Sequence, residues 1–76
     1  MKVNDFLKML SEELELESAI EIDTDLTSFS EWDSMAVMVV ISLVSTNFGV
    51  VLTGNDLENV TYVRDLIELI GRESFS

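Results

Sequence analysis

Between Ser34 and Asn55 the chain carries no charged residue, and the first part of that stretch repeats its apolar side chains at helical spacing. At about 100° per residue, Val37, Val40, Ile41, Val44 and Phe48 fall on one face. Asp33 ahead of Ser34 is an N-cap signal, and Gly49 is a C-terminal stop. The spacing therefore predicts a helix from Ser34 to about Phe48. The longest apolar run, Met35 to Val44, is about half of what a bilayer span needs. A helix this apolar must be covered by the rest of a chain of 76 residues, which predicts one domain over 1–76 with a single small core.

The flanking segments supply that cover. Val3, Phe6, Leu7, Leu10 and Leu14 recur at helical spacing, with Asn4 as the expected N-cap and Lys8, Glu12, Glu13 and Glu15 on the wet face. Residues 16–33 have no sustained period. They are dense in Glu, Asp, Ser and Thr and read as an ordered loop pinned by Ile20, Ile22, Leu26, Phe29 and Trp32. After Gly49 a turn at Thr53-Gly54-Asn55 leads to a short helical piece over Asp56 to Asn59. Thr61 is the expected N-cap of a last helix, Tyr62 to Ile70, with Val63, Leu66, Ile67 and Ile70 as its apolar stripe. Residues 72–76 are expected to fray. Strand alternation is nowhere sustained. The class predicted is all-α: three main helices, one short one, and a long loop between the first two.

Charge and composition narrow the chemistry. Four Lys and Arg oppose fifteen Asp and Glu, giving a net charge of −11. Residues 1–38 hold two cations and ten acids, net −8, against net −3 for the rest. Nucleic acid and anionic membranes are poor partners for such a surface, while a basic patch on another protein is a good one. The same charge predicts self-repulsion in the folded chain near neutral pH, relieved by salt and divalent cations. Cysteine and histidine are absent, which removes disulfides, thiolate chemistry, His-based triads and the commonest zinc ligand. The sequence is expected to be no enzyme. Met1-Lys2 followed directly by Asn4 and Asp5 does not read as a secretory leader, so a soluble, cytoplasmic monomer is expected.

Two motifs remain. Asp23, Asp25 and Thr27 stand at positions one, three and five of a possible calcium loop, but Ser28 replaces the required Gly and Ser34 the bidentate Glu. No metal site is expected there. The other is Trp32-Asp33-Ser34-Met35. Asp-Ser before an apolar helix is a good helix start in any protein. Here it also places an exposed hydroxyl at the positive end of the helix dipole, where an attached anion would be favoured.

With Asp33-Ser34-Met35 at the start of a central helix, the chain resembles the acyl carrier proteins, whose typical triplet is Asp-Ser-Leu. The resemblance continues through Phe48-Gly49, Leu52, Asp56-Leu57, Val60-Thr61, Val63 and Leu66-Ile67, and covers essentially the whole chain. It implies a right-handed four-helix bundle whose third helix is short. It implies that Ser34 receives 4′-phosphopantetheine from a separate phosphopantetheinyl transferase, with Asp33 helping that encounter. The thiol of the arm then holds acyl groups as thioesters for acyl-transferring, synthase or ligase enzymes of fatty-acid, polyketide or a related pathway. It also suggests an acyl pocket formed by Ile41, Val44, Val60, Tyr62 and Val63.

The chain departs from that family in two places. Acids usually line the second helix, but here the matching stretch holds Ala36, Val39, Ser45 and Thr46. Trp32 also replaces the usual housekeeping residue. A specialised carrier is expected, with a mostly apolar docking patch of Met35, Ala36, Met38 and Val39 beside Ser34. The alternatives are an aminoacyl or peptidyl carrier, such as a D-alanyl carrier, and an acidic helical interaction module whose Ser34 stays unmodified.

Overall fold

A computed structural model describes residues 1–75. Four helices run over Val3–Glu13 (α1), Ser34–Phe48 (α2), Gly54–Glu58 (α3) and Val63–Ile70 (α4). Short 3₁₀ turns lie at Leu26–Ser28 and Arg72–Ser74. The described residues contain no strand, only an isolated antiparallel bridge between Asp25 and Tyr62. The fold is all-helical, three main helices and one short one, as expected.

Every buried residue of the described chain is apolar. Phe6, Leu10, Val40, Val44, Val63 and Leu66 are wholly inaccessible and come from α1, α2 and α4 in pairs. Leu57 from α3 and Leu26 from the loop close the remaining side. The predicted stripes of α1 and α4 face this core. On α2 the buried set is Ala36, Val40, Leu43 and Val44, with Val37, Ile41 and Phe48 half-buried at its margin. The buried arc is thus wider than the predicted stripe and takes in Ala36 and Leu43, since α2 feeds one continuous core shared with the other helices and the loop.

The long loop is ordered as expected, and its anchor is polar as well as apolar. Ile20 and Leu26 are buried, Phe29 and Trp32 half-buried, but Ile22 is exposed. The loop backbone instead satisfies the start of α4: Val63 N–H donates to Thr24 O at 3.1 Å and Arg64 N–H to Ile22 O at 2.9 Å. Leu26 N–H donates in return to Thr61 O at 2.8 Å. First-turn amides have no partner within their own helix, so this pairing supplies one.

Helix starts differ from the predicted ones in three places. α1 is capped by Lys2 and begins at Val3, so Asn4 lies inside it. The Met1 amino group reaches Ser74 O at 3.3 Å, which holds the entry of α1 against the C-terminal turn. α3 starts at Gly54 because Thr53 and Asp56 form a reciprocal capping box. α4 starts after Tyr62, since the Asp65 carboxylate accepts from both Thr61 N–H and Tyr62 N–H and fixes them outside the helix.

The expected fraying of the C-terminus is also corrected for the residues described; Ser76 lies outside them. Phe75 folds back to place its ring 5.3 Å from Phe6 and 5.2 Å from Phe48, centroid to centroid. Phe6 and Phe48 meet edge-on at 5.8 Å. An aromatic trio therefore joins α1, α2 and the C-terminal turn.

Candidate functional site

Ser34 is the first residue of α2 and is exposed. Asp33 is its N-cap, in extended conformation, and its Oδ1 accepts from Ala36 N–H at 3.0 Å. Its backbone carbonyl accepts from Val37 N–H at 3.0 Å. The amides of Ser34 and Met35 have no protein partner among the described residues, and neither has the Ser34 hydroxyl. Ser34 thus presents a free Oγ beside two free N–H groups at the positive end of a 15-residue helix. An anion attached to that oxygen would meet donors and a favourable field.

A cleft of about 610 Å³ opens beside Ser34. Trp32, Val37, Leu57 and Val60 give it an apolar side, and the Thr53-Gly54-Asn55 turn forms part of its rim. The capping box at Thr53 holds that rim in place. Of the residues expected in an acyl pocket, Val60 lines this cleft. The other four lie outside its lining. Val44 and Val63 have no accessible surface left. Ile41 sits at the edge of the core away from the cleft. Tyr62 is exposed, with the Arg64 guanidinium 4.4 Å from its ring centre. Leu57, the one apolar residue of α3, and the Thr53-Gly54-Asn55 rim line the cleft without having been singled out for a site in the sequence.

The expected docking patch divides. Met35 is 75% and Met38 70% exposed. Val39 is half-buried, and Ala36 is buried behind the cap, so Ala36 is no part of the surface. Its position, four residues before Val40, puts it on the core stripe.

Two acids of the loop have side-chain partners. Asp25 accepts from Thr27 N–H at 2.9 Å and from the Thr27 hydroxyl. Asp23 pairs with Arg64. Among the described residues no three or more metal-ligating side chains gather. Asp65 has its carboxyl held below the usual value, first by the Tyr62 amide, then by that of Thr61, with the Arg64 charge adding to them against partial desolvation.

The family model described as phosphopantetheine attachment site matches residues 4–70. The chain belongs to that family, the phosphopantetheine-carrying domains of acyl-carrier type. The cofactor of such a domain is 4′-phosphopantetheine, covalently attached. No curated protein and no solved structure gave a match.

Proposed function

We propose that Ser34 carries the 4′-phosphopantetheine and that the chain is a carrier of acyl groups held as thioesters on that arm. The observation that carries the reading is the free Ser34 hydroxyl at the head of α2, beside two unpartnered amides and the mouth of the apolar cleft. When attached, the arm supplies the thiol that a chain without cysteine lacks. Asp33 sets the geometry by capping the first turn, so that Ser34 stands clear of the loop. Trp32, Val37, Leu57 and Val60 give an apolar acyl chain a surface to pack on.

In this reading the domain spans 1–76, catalyses nothing and works as a cytoplasmic monomer. It is loaded by a phosphopantetheinyl transferase and serves synthase, ligase or acyl-transferring enzymes of a specialised fatty-acid, polyketide or related pathway. No helix among the described residues is long and apolar enough to cross a membrane. The apolar side of the cleft favours an acyl cargo over the charged ammonium of an aminoacyl group, which burial there would penalise.

Loading the purified protein from hexanoyl-coenzyme A and from alanyl-coenzyme A, with a promiscuous transferase, tests the reading. The hexanoyl form is expected to melt higher than the form bearing the bare arm, and the alanyl form to melt level with it. Stabilisation by the alanyl group alone would favour an aminoacyl carrier. Failure of both to load would leave an unmodified interaction module.

A further inference from the structure

A groove of about 350 Å³ lies along α4 and shares no lining residue with the cleft at Ser34. Val3, Ile22, Ile67 and Phe75 give it an apolar floor. Arg64, in the first turn of α4, and Arg72, just past its end, both line it. The whole chain has only four Lys and Arg, so half of its basic side chains meet in this one place. We propose that the groove binds an amphiphilic monocarboxylate, with its head group on the Arg72 guanidinium and its apolar chain along the floor. The site is separate from Ser34 and does not depend on the carrier reading.

The floor is apolar surface that the fold holds in position yet leaves open. Ile22 is exposed, and its carbonyl accepts from Arg64 N–H at 2.9 Å, which fixes it against the start of α4. Phe75 is only half-buried, although its ring packs on Phe6 and Phe48. An apolar chain seated here takes both side chains out of water. Charge selects the head group. Two cations and one acid, Glu68, line the groove, a local excess of +1 on a chain of net −11. Arg64 is already engaged, bonded to Asp23 and stacked 4.4 Å from the Tyr62 ring centre. Arg72 has one carboxylate partner among the described residues, Glu68, and its side chain is 80% exposed. Such an exposed pair adds little, and a guanidinium has five donors, so a second carboxylate can join it in fork geometry. A ligand or protein segment with several acids would meet the repulsion of the whole surface, which a single charge largely escapes.

Octanoate, octanol and acetate, each titrated into ¹⁵N-labelled protein, test the site. Octanoate is expected to shift the backbone signals of Ile22, Ile67, Arg72 and Phe75 and to raise the melting temperature. Octanol lacks the charge and should bind about tenfold more weakly, while acetate lacks the chain and should give no localised shifts. Arg72→Gln should keep the ligand-free melting temperature and weaken octanoate about tenfold. Glu68→Gln removes the carboxylate that competes for Arg72 and should tighten octanoate about threefold. Shifts centred on the Ser34 cleft, equal binding of octanol, or wild-type affinity in Arg72→Gln would overturn the site. Unchanged affinity in Glu68→Gln would overturn the placing of the head group on Arg72. Tighter binding of a peptide with one leucine between aspartates, at the same residues, would overturn the small ligand in favour of an acidic protein. Ser34→Ala should bind octanoate like wild type whether or not wild type can be loaded with the arm; a loss of binding there would overturn the separation of the two sites.

Discussion

Glu15 carries a backbone cost that the sequence does not advertise. It is the one non-glycine residue of the described chain with positive φ, at 55°. It ends α1 in a Schellman arrangement, with Glu15 N–H donating to Glu12 O and Leu16 N–H to Ser11 O. Left-handed backbone disfavours a side chain, and an acid at a helix C-terminus opposes the dipole. Glu15→Gly is therefore expected to stabilise the protein by about 1 kcal/mol in urea unfolding. A loss of stability would show that the side chain makes a contact outweighing both effects. Asp65 works in the other direction. Its folded-state pKa is lowered, so its contribution is present above the ordinary aspartate range and is lost as pH falls through the folded value. Asp65→Asn should thus be less stable than wild type at pH 7, and the deficit should shrink towards pH 2. An equal deficit at both pH values would mean that the carboxylate charge is irrelevant there.

At the scale of the elements, the C-terminal turn is the part whose behaviour differs most from its composition. Phe75→Ala removes one ring from the trio with Phe6 and Phe48 and is expected to cost about 2 kcal/mol, below the usual range for a fully buried Phe because Phe75 is only half-buried. A change within about 0.5 kcal/mol would mean that the turn adds nothing to the bundle. That clasp was illegible beforehand, since a lone Phe after a helix stop has no periodicity to place it. α2 was legible from end to end: Asp33 and Gly49 bracket it, and Gly49 takes the left-handed conformation at φ 69°. The face of α2 was legible only in part, because a helix feeding a core shared with the other helices and the loop buries a wider arc than one stripe. Ser34 could be read because capping is local in sequence. The cleft beside it could not, because its walls come from the loop, α2 and α3 and meet only through the fold.

For the molecule as a whole, charge and burial are separated. The core is wholly apolar among the described residues, and the ion pairs Arg64–Asp23 and Arg72–Glu68 are exposed. Such pairs add little, so the excess of acids acts mainly as mutual repulsion across the surface. The melting temperature at pH 7 should rise as sodium chloride increases from about 10 mM to about 500 mM, where screening falls to within a few ångströms. A flat profile would mean that the acids are too far apart to repel. The same arrangement gives the carrier reading its logic: an inert core, a surface that selects basic partners, and one hydroxyl left free at the head of the central helix. Intact mass after incubation with coenzyme A and a promiscuous phosphopantetheinyl transferase tests that claim most directly. Wild type is expected to gain the mass of one phosphopantetheinyl group and Ser34→Ala none; an unmodified wild type, or equal modification of Ser34→Ala, would contradict it.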